Sequence, residues 1–485
     1  MKKPHETALN ILTLIQFCER FCFYAVVSSL ILFFSRVYRL DDTVNYGYFA
    51  AFFGLSFGFS VVGGWLADKV YSYIKIIGLG LILVCIGSFI LILLSPTTFF
   101  YGLACMSIGV GFFKPNITSL VGLLFEKDSA RRSEAYTIFY MGINLGSFIG
   151  IILSSLMLIY FSWRSVFFIA WLASLSGLII FLVTQKYFAP LTHKSINKHT
   201  KITQTKLIQS NGLVSIGCVI LVYISYLLII HSLVTAEILI GLFLVGILYI
   251  FKALMQQHLG KQALAFLLLL ILNICFFALF QQLLSSINLF TDRTVDRDLF
   301  GFIVPTTSLQ SINPVLVVLF GPLVILLWKK LRQINWEPSI SGKFSWSFVF
   351  CVAAFATLAA SAYFAAISDG KSNFLALILT YVFMTLGELF IGPIGLTAVT
   401  QLASDDLLAF MLGIWYLGTA IGNYFSGILA GVTTAISDKI SPIAHHTIAK
   451  IYAFGFFELL LMSIFVLIFA LFCQVLITKY LKIEF

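Results

Sequence analysis

Charge is what this chain has least of. Only 10% of its 485 residues are Asp, Glu, Lys or Arg, against about 25% in soluble domains. Acids are scarcer than bases, 20 against 30, and 60% of the chain is hydrophobic. No soluble fold of this length can hide so much apolar surface, which excludes soluble enzymes and soluble nucleic-acid binders together. The net charge of +10 does not restore a nucleic-acid partner, because the basic residues are dispersed over loops instead of forming a patch. No histidine falls within an apolar run, so an imidazole relay inside a membrane has nothing to work with. The eight cysteines all lie in apolar runs without histidines at metal-ligand spacing. Cys18 and Cys22 share a helix face but read as small buried hydrophobes, and no metal or other cofactor is expected. Clustered His, Asp or Ser pairs of the kind bilayer enzymes use are also missing. The stretch Asp369-Gly370-Lys371-Ser372 resembles the end of a phosphate-binding loop, but Ala365 stands where that loop needs its first glycine. Neither an enzyme nor an ATP-driven pump is left.

What remains is a succession of apolar runs on the scale of the ~30 Å hydrocarbon core at 1.5 Å per helical residue. They predict spans near 8–34, 46–67, 74–94, 99–124, 136–160, 166–188, 213–230, 236–251, 263–290, 309–328, 346–367, 374–402, 407–432 and 451–477. The seventh and eighth are the shortest and least featured. The first is not a signal peptide: it is too long, carries Glu19 and Arg20 at its centre, and has no small-residue cleavage site. One polar linker, Ala189 to Asn211, divides the chain into an amino-terminal bundle (1–188), a linker with an inserted helix pair (189–262) and a carboxy-terminal bundle (263–485). With the amino terminus inside, inner loops hold twenty Lys and Arg and outer loops eight. That asymmetry predicts a multi-pass protein with both termini cytoplasmic. The fold class is therefore an all-α polytopic membrane protein with fourteen transmembrane helices.

Among the charges inside the runs, four stand out: Glu19, Arg20, Lys114 and Glu388. Each costs at least about 2.5–3.5 kcal/mol at bilayer depth, which suggests a solute or proton path. Six helices, a basic linker, a helix pair and six more helices form the plan of a two-bundle transporter, whose sites lie near the midplane. Plainer readings stand beside this one. A buried Arg–Glu–Lys group can simply join helices, and a helix break at Pro393 would leave Glu388 in water. Trp415 alone suggests packing. Glu237 and Glu458 read as packing or membrane-edge carboxylates, and His445 and His446 as loop residues.

The segment Gly63-Gly64-Trp65-Leu66-Ala67-Asp68-Lys69 resembles the loop motif between the second and third helices of the major facilitator superfamily. Its glycines allow close helix approach and Asp68 can cap a neighbouring helix start. Longer blocks narrow the resemblance: GVGFFKPNITSLVG at 109–122, RRSEAYTIFYMGINLGSFIG at 131–150, SSINLFTDRTVDRDLFGFIVPTTSLQSINP at 285–314, GELFIGPIGLTAVTQLA at 387–403 and MLGIWYLGTAIGNYFSG at 411–427. In order and content they are similar to the proton-dependent oligopeptide transporter family, including its bacterial members with an inserted helix pair. The resemblance implies a major facilitator fold of two six-helix bundles plus two helices. It also implies uptake of di- and tripeptides with protons as coupling ion, in a bacterial inner membrane, by a chain expected to work as a monomer surrounded by lipid.

A peptide is a zwitterion, so its site needs cations for the carboxylate and an acid for the ammonium. Arg20 offers a planar fork and Lys114 a point charge. Tyr24 lies one turn after Arg20 on the same face, and Glu388 is the natural partner of the amine. The resemblance assigns Asn144 and Asn313 to the peptide backbone, Trp415 and Thr419 to the side-chain pocket, and Phe277 and Gln281 to the wall given by helix 7. Glu19, Arg20 and Lys114 are the proton-coupling group.

The departures from that family are specific. Gln16 stands in place of a glutamate three residues before Glu19, and Phe23 in place of the first of two tyrosines. Val27 replaces an arginine, Phe277 a tryptophan and Gln281 a glutamate. The arginine and glutamate normally form an outer gating pair. Losing both avoids one uncompensated buried charge, worth about 3–5 kcal/mol. Fewer titratable acids remain, so an alternative is the same scaffold carrying another amphoteric or anionic solute, such as an amino acid or nitrate, or carrying peptides with weak proton coupling.

Overall fold

The computed structural model describes residues 4–40, 42–126, 130–188, 211–299, 302–304, 309, 311–434 and 445–482. Long apolar helices dominate, as a lipid solvent demands, because a helix satisfies its backbone hydrogen bonds within itself. The first six are α1 (Pro4–Arg36), α2 (Asp42–Lys69), α3 (Tyr73–Leu91), α4 (Pro96–Leu123), α5 (Ala130–Tyr160) and α6 (Trp163–Thr184). The inserted pair is α7 (Asn211–Ile230) and α8 (Ser232–Gln256). Then follow α9 (Gly260–Phe280), α10 (Ser286–Thr294), α11 (Ile312–Gln333), α12 (Ile340–Ile367), α13 (Phe374–Leu402), α14 (Leu408–Thr434) and α15 (His445–Val475). A two-residue ladder pairs β1 (Asp298–Leu299) with β2 (Phe302–Ile303). Among the described residues, thirteen spans are long and apolar enough to cross a membrane. The apolar part of α7, Gly217–Ile230, is shorter. Helix starts are marked by their sequence: Ser72 accepts from the Lys75 amide at 3.4 Å, Pro96 opens α4, and Ser339 accepts from the Gly342 amide at 3.2 Å.

Two compact units divide the chain. One holds 1–260 with 399–417, the other 261–398 with 418–485. In the first, α1 lies tightly along α5 because glycines recur every fourth residue. A Cβ on Gly146 would stand 2.5 Å from the Phe17 carbonyl oxygen, and one on Gly150 would stand 2.6 Å from that of Phe21. This approach places the turn containing Glu19 and Arg20 against α5. The inserted pair belongs to the same unit and packs on α2 and α4. Ser225 and Ser107 share a hydrogen bond of 2.8 Å, and Tyr226 stacks on Tyr101 at 4.2 Å. Leu239 fills the space left by Gly54 and Gly58. Farther along α8, Tyr249 meets Phe410 edge-on at 5.1 Å and Gly246 makes room for Ile414.

Three expectations need correction. The span expected at 236–251 runs from Ser232 to Gln256, separated from α7 by His231 alone, because apolar residues continue at both ends. The run expected to be one helix over 263–290 breaks between α9 and α10, with a 3-10 turn at Gln281–Leu284 and non-helical dihedrals of −113° and −98° at Ser285. Polar side chains supply the bonds the backbone gives up. Gln282 donates to the Ala278 and Ser426 carbonyls, while Ser285 and Ser286 donate to its Oε1. His445 and His446 begin α15 instead of lying in a loop, since the apolar pattern reaches back through Ala449, which is buried. The basic linker at 189–210 falls outside the described residues.

Candidate substrate site

In the first unit, Glu19 and Arg20 are 0% and 1% exposed. The guanidinium grips the carboxylate with Nε at 2.6 Å and Nη2 at 2.5 Å. Its carbon also stands 4.6 Å from the centre of the Phe23 ring. The phenylalanine at that position, one of the departures noted above, thus offers a ring face to the cation. The amide of Gln16, one turn before Arg20, is buried with neither its nitrogen nor its oxygen hydrogen-bonded. Tyr24 is partly exposed, and Asn144 is buried, its amide donating to the Tyr140 carbonyl at 3.0 Å.

Lys114 has a different setting. Its ammonium lies between two aromatic faces, 4.1 Å from the Phe57 centroid and 4.3 Å from that of Tyr416, and makes no ion pair among the described residues. The Tyr416 hydroxyl is tied to Thr118 at 2.8 Å, and Thr118 is the residue one turn beyond Lys114 on α4. Cation, ring and tether therefore form one closed arrangement. Trp415, beside Tyr416, is buried. Phe57, Tyr416 and Thr118 were not singled out from sequence. The i, i+4 spacing of Lys114 and Thr118 is the one signal that places any of them on a shared face.

In the second unit, Asn313 donates from its amide to Glu388 at 2.7 Å and to Thr385 at 3.1 Å. Glu388 is 5% exposed and sits within α13, which continues through Pro393 to Leu402. The helix break that would have left Glu388 in water does not occur. Two residues expected to touch a ligand separately, Asn313 and Glu388, are thus joined directly. Phe277 and Gln281 are partly exposed on α9 and the turn after it, and Phe277 meets Phe276 and Phe280 edge-on. Asn273, one turn before Phe277, donates to the Thr419 hydroxyl oxygen at 3.0 Å. It too was missed, although it shares the spacing of the two residues named.

Asp68 caps a helix, but one distant in the chain. Its Oδ1 accepts from the Ala409 amide at 3.2 Å and from the Tyr73 hydroxyl at 2.8 Å, and its Oδ2 accepts from the Phe410 amide at 2.8 Å. These are first-turn donors of α14, which its own backbone cannot satisfy. Gly64 allows the approach by leaving room for the Ala409 carbonyl. Beside it Asp406 accepts from Lys69 at 3.0 Å and from Ser404 at 2.7 Å. Burial pushes the Asp406 carboxyl up, but the hydrogen bonds from Ser404 and Lys69 outweigh it and hold the pKa below the usual carboxylate range.

Helices in two units, with charges buried among them and a glycine-rich end of α2 closing on a distant helix start, define a membrane transporter of the major facilitator type. A family model described as PTR2, POT family, matches residues 71–449, and the chain belongs to that family. It is 29% identical over 452 residues to dipeptide and tripeptide permease A of Serratia proteamaculans (strain 568), covering 92% of this chain and 86% of the relative. It is also 29% identical over 446 residues to dipeptide and tripeptide permease B of Photorhabdus luminescens, covering 89% of each. Among solved structures, a POT family transporter in complex with 5-aminolevulinic acid superposes with a TM-score of 0.72 at 23% identity, covering 96% of both chains. A bacterial homologue of human drug peptide transporters gives 0.71 at 23% identity, covering 98% of this chain and 99% of that one. At these identities the structures speak for the fold.

Proposed function

We propose that this protein imports di- and tripeptides through a bacterial inner membrane by proton symport and alternating access, with both termini cytoplasmic. The observation that carries the reading is the contrast between Lys114 and Glu388. Lys114 is a cation held by ring faces with no carboxylate on it. Glu388 is a carboxylate steered by a neutral amide. Lys114 is thus a largely buried cation and Glu388 a buried carboxylate, and a zwitterion carries a carboxylate for the one and an ammonium for the other. Names of the permease relatives support the same substrate class. Arg20, Tyr24, Asn144, Asn313, Trp415 and Thr419 complete the proposed binding set, with Phe277 and Gln281 as its wall.

Glu19 is the proposed proton carrier. Gln16 and Gln281 cannot titrate, and the peptide ammonium would occupy Glu388. With one acid available, about one proton per peptide is expected. A second reading is transport of another small amphoteric solute, favoured by the two missing acids and by the 5-aminolevulinic acid complex of a fold neighbour. Proteoliposome counterflow and pH-driven uptake of labelled dialanine separate the two. Competition by peptides alone supports the first; competition by free amino acids or nitrate supports the second.

A further inference from the structure

Asn273, Phe277 and Gln281 follow one another at intervals of four residues, yet they differ in burial. Phe277, Gln281 and Thr419 are partly exposed, whereas Asn273 is 0% exposed. Its Nδ2 donates to Thr419 at 3.0 Å, and its Oδ1 has no partner. A buried amide with half its capacity unspent is unfavourable in an apolar seam, so its presence calls for a reason. Joining the helices is not the reason, because other contacts already do that. Gly422 is in close contact with α9, where a Cβ would stand 2.7 Å from the Ile274 carbonyl oxygen and 3.1 Å from Phe277 Cβ. Gln282 clasps the Ser426 carbonyl and hydroxyl at 3.0 and 3.2 Å.

A threonine in a helix divides between two rotamers, which exchange the places of its hydroxyl and its methyl. A bond from a buried neighbour removes that freedom. It turns the hydroxyl oxygen toward Asn273 and the methyl away from it. Turning the amide end for end changes nothing, since Oδ1 would hold the same hydroxyl by accepting its proton. We propose that Asn273 is a positioning residue for substrate selectivity: by holding the Thr419 hydroxyl inward it makes the pocket wall a methyl surface, which favours apolar peptide side chains. The inference rests on Thr419 belonging to the side-chain pocket.

The test compares two peptides that differ only in methyl against hydroxyl, alanyl-2-aminobutyrate and alanylserine, as competitors of labelled dialanine counterflow in proteoliposomes. The wild type is expected to prefer the aminobutyrate peptide roughly tenfold, the low end of what one such group is worth in a pocket. Asn273→Ala should bring the ratio close to one. Adding Thr419→Val should restore it, since valine presents a methyl in either rotamer, and a merely structural role for Asn273 gives no such rescue. Asn273→Leu, which fills the space without a donor, takes the place of the alanine variant if that one does not fold. Unchanged preference in the Asn273 variant, or no rescue in the double variant, overturns the proposal. A wild type that carries both peptides without preference overturns it while leaving peptide transport intact. A wild type without dialanine counterflow overturns peptide transport and this proposal with it.

Discussion

Replacing Glu19 with Gln removes one charge from a pair that water does not reach. In the wild type the Arg20 guanidinium has its Nε and Nη2 at 2.6 and 2.5 Å from the two carboxylate oxygens. Breaking a buried pair by neutralising one partner costs about 3–5 kcal/mol, chiefly because the other charge stays buried. The Phe23 face, 4.6 Å away, already contributes about 1 kcal/mol to the cation and does not grow to compensate. At about 2–4 °C per kcal/mol, the melting temperature of the detergent-solubilised Glu19→Gln variant should fall by roughly 6–20 °C. Removing both charges, as Glu19→Leu with Arg20→Met, should recover most of that loss, because apolar replacement of a whole buried pair is often neutral or better. Function should divide differently. Glu19→Gln frees the Arg20 fork for a peptide carboxylate, so dialanine counterflow should persist. Accumulation driven by an imposed pH gradient should be lost. Stability equal to wild type in the single variant, or no recovery in the double, would refute the electrostatic argument. Retained pH-driven accumulation would place the proton carrier elsewhere.

Lys114→Ala and Glu388→Gln should each abolish or severely weaken dialanine uptake while membrane insertion, followed by fluorescence of a fused reporter, stays normal; wild-type affinity in both would remove this pocket from consideration. Gln281→Glu should lower the uptake rate, because a carboxylate within a membrane-spanning segment costs free energy that the neutral amide does not; an unchanged rate would contradict this. At Glu337, burial pushes the carboxyl up, but hydrogen bonds from Arg332 at 2.6 Å and Lys343 at 2.7 Å outweigh it and hold its pKa below the usual value. A depressed carboxylate contributes stability that is present at neutral pH and fades as pH falls through the folded pKa. Melting curves of Glu337→Gln should therefore lie below wild type at pH 7 and converge with it in acid; a constant gap across that range would contradict the assignment.

The spans were legible because lipid imposes one simple rule, a long apolar run for each crossing. The family blocks contain Lys114, Asn313 and Glu388, while Arg20 stands out as a charge at the centre of the first run. Other features depend on contacts between helices far apart in sequence, which no run of residues displays. The break after Phe280 is one: its stretch is apolar enough for a continuous helix, and only the bonds from Gln282 to Ser426 and from Ser286 to Gln282 show why the chain turns there. The ring faces around Lys114 are another, since Phe57 is one phenylalanine among 50. Lys343 misled in the opposite direction. It is one of the twenty cations read as lying in inner loops, yet it is 4% exposed in the first turn of α12, bonded to Glu337 and 4.6 Å from the Trp328 ring. Asp68 was the exception, a cap whose motif announced it and whose partners, Ala409 and Phe410, the fold supplied.

The glycines under Leu239 have a consequence for descent. Gly54 and Gly58 suit α2 only while α8 covers them, and Ser107 has its hydrogen-bond partner in Ser225. A descendant that lost α7 and α8 would turn a thin, notched strip of α2 toward lipid tails. The hydroxyl on α4 would lose that partner as well. Each position fits its neighbour, so neither side changes alone without loss. The inserted pair is in this sense entrenched: it finishes a surface that α2 and α4 leave incomplete.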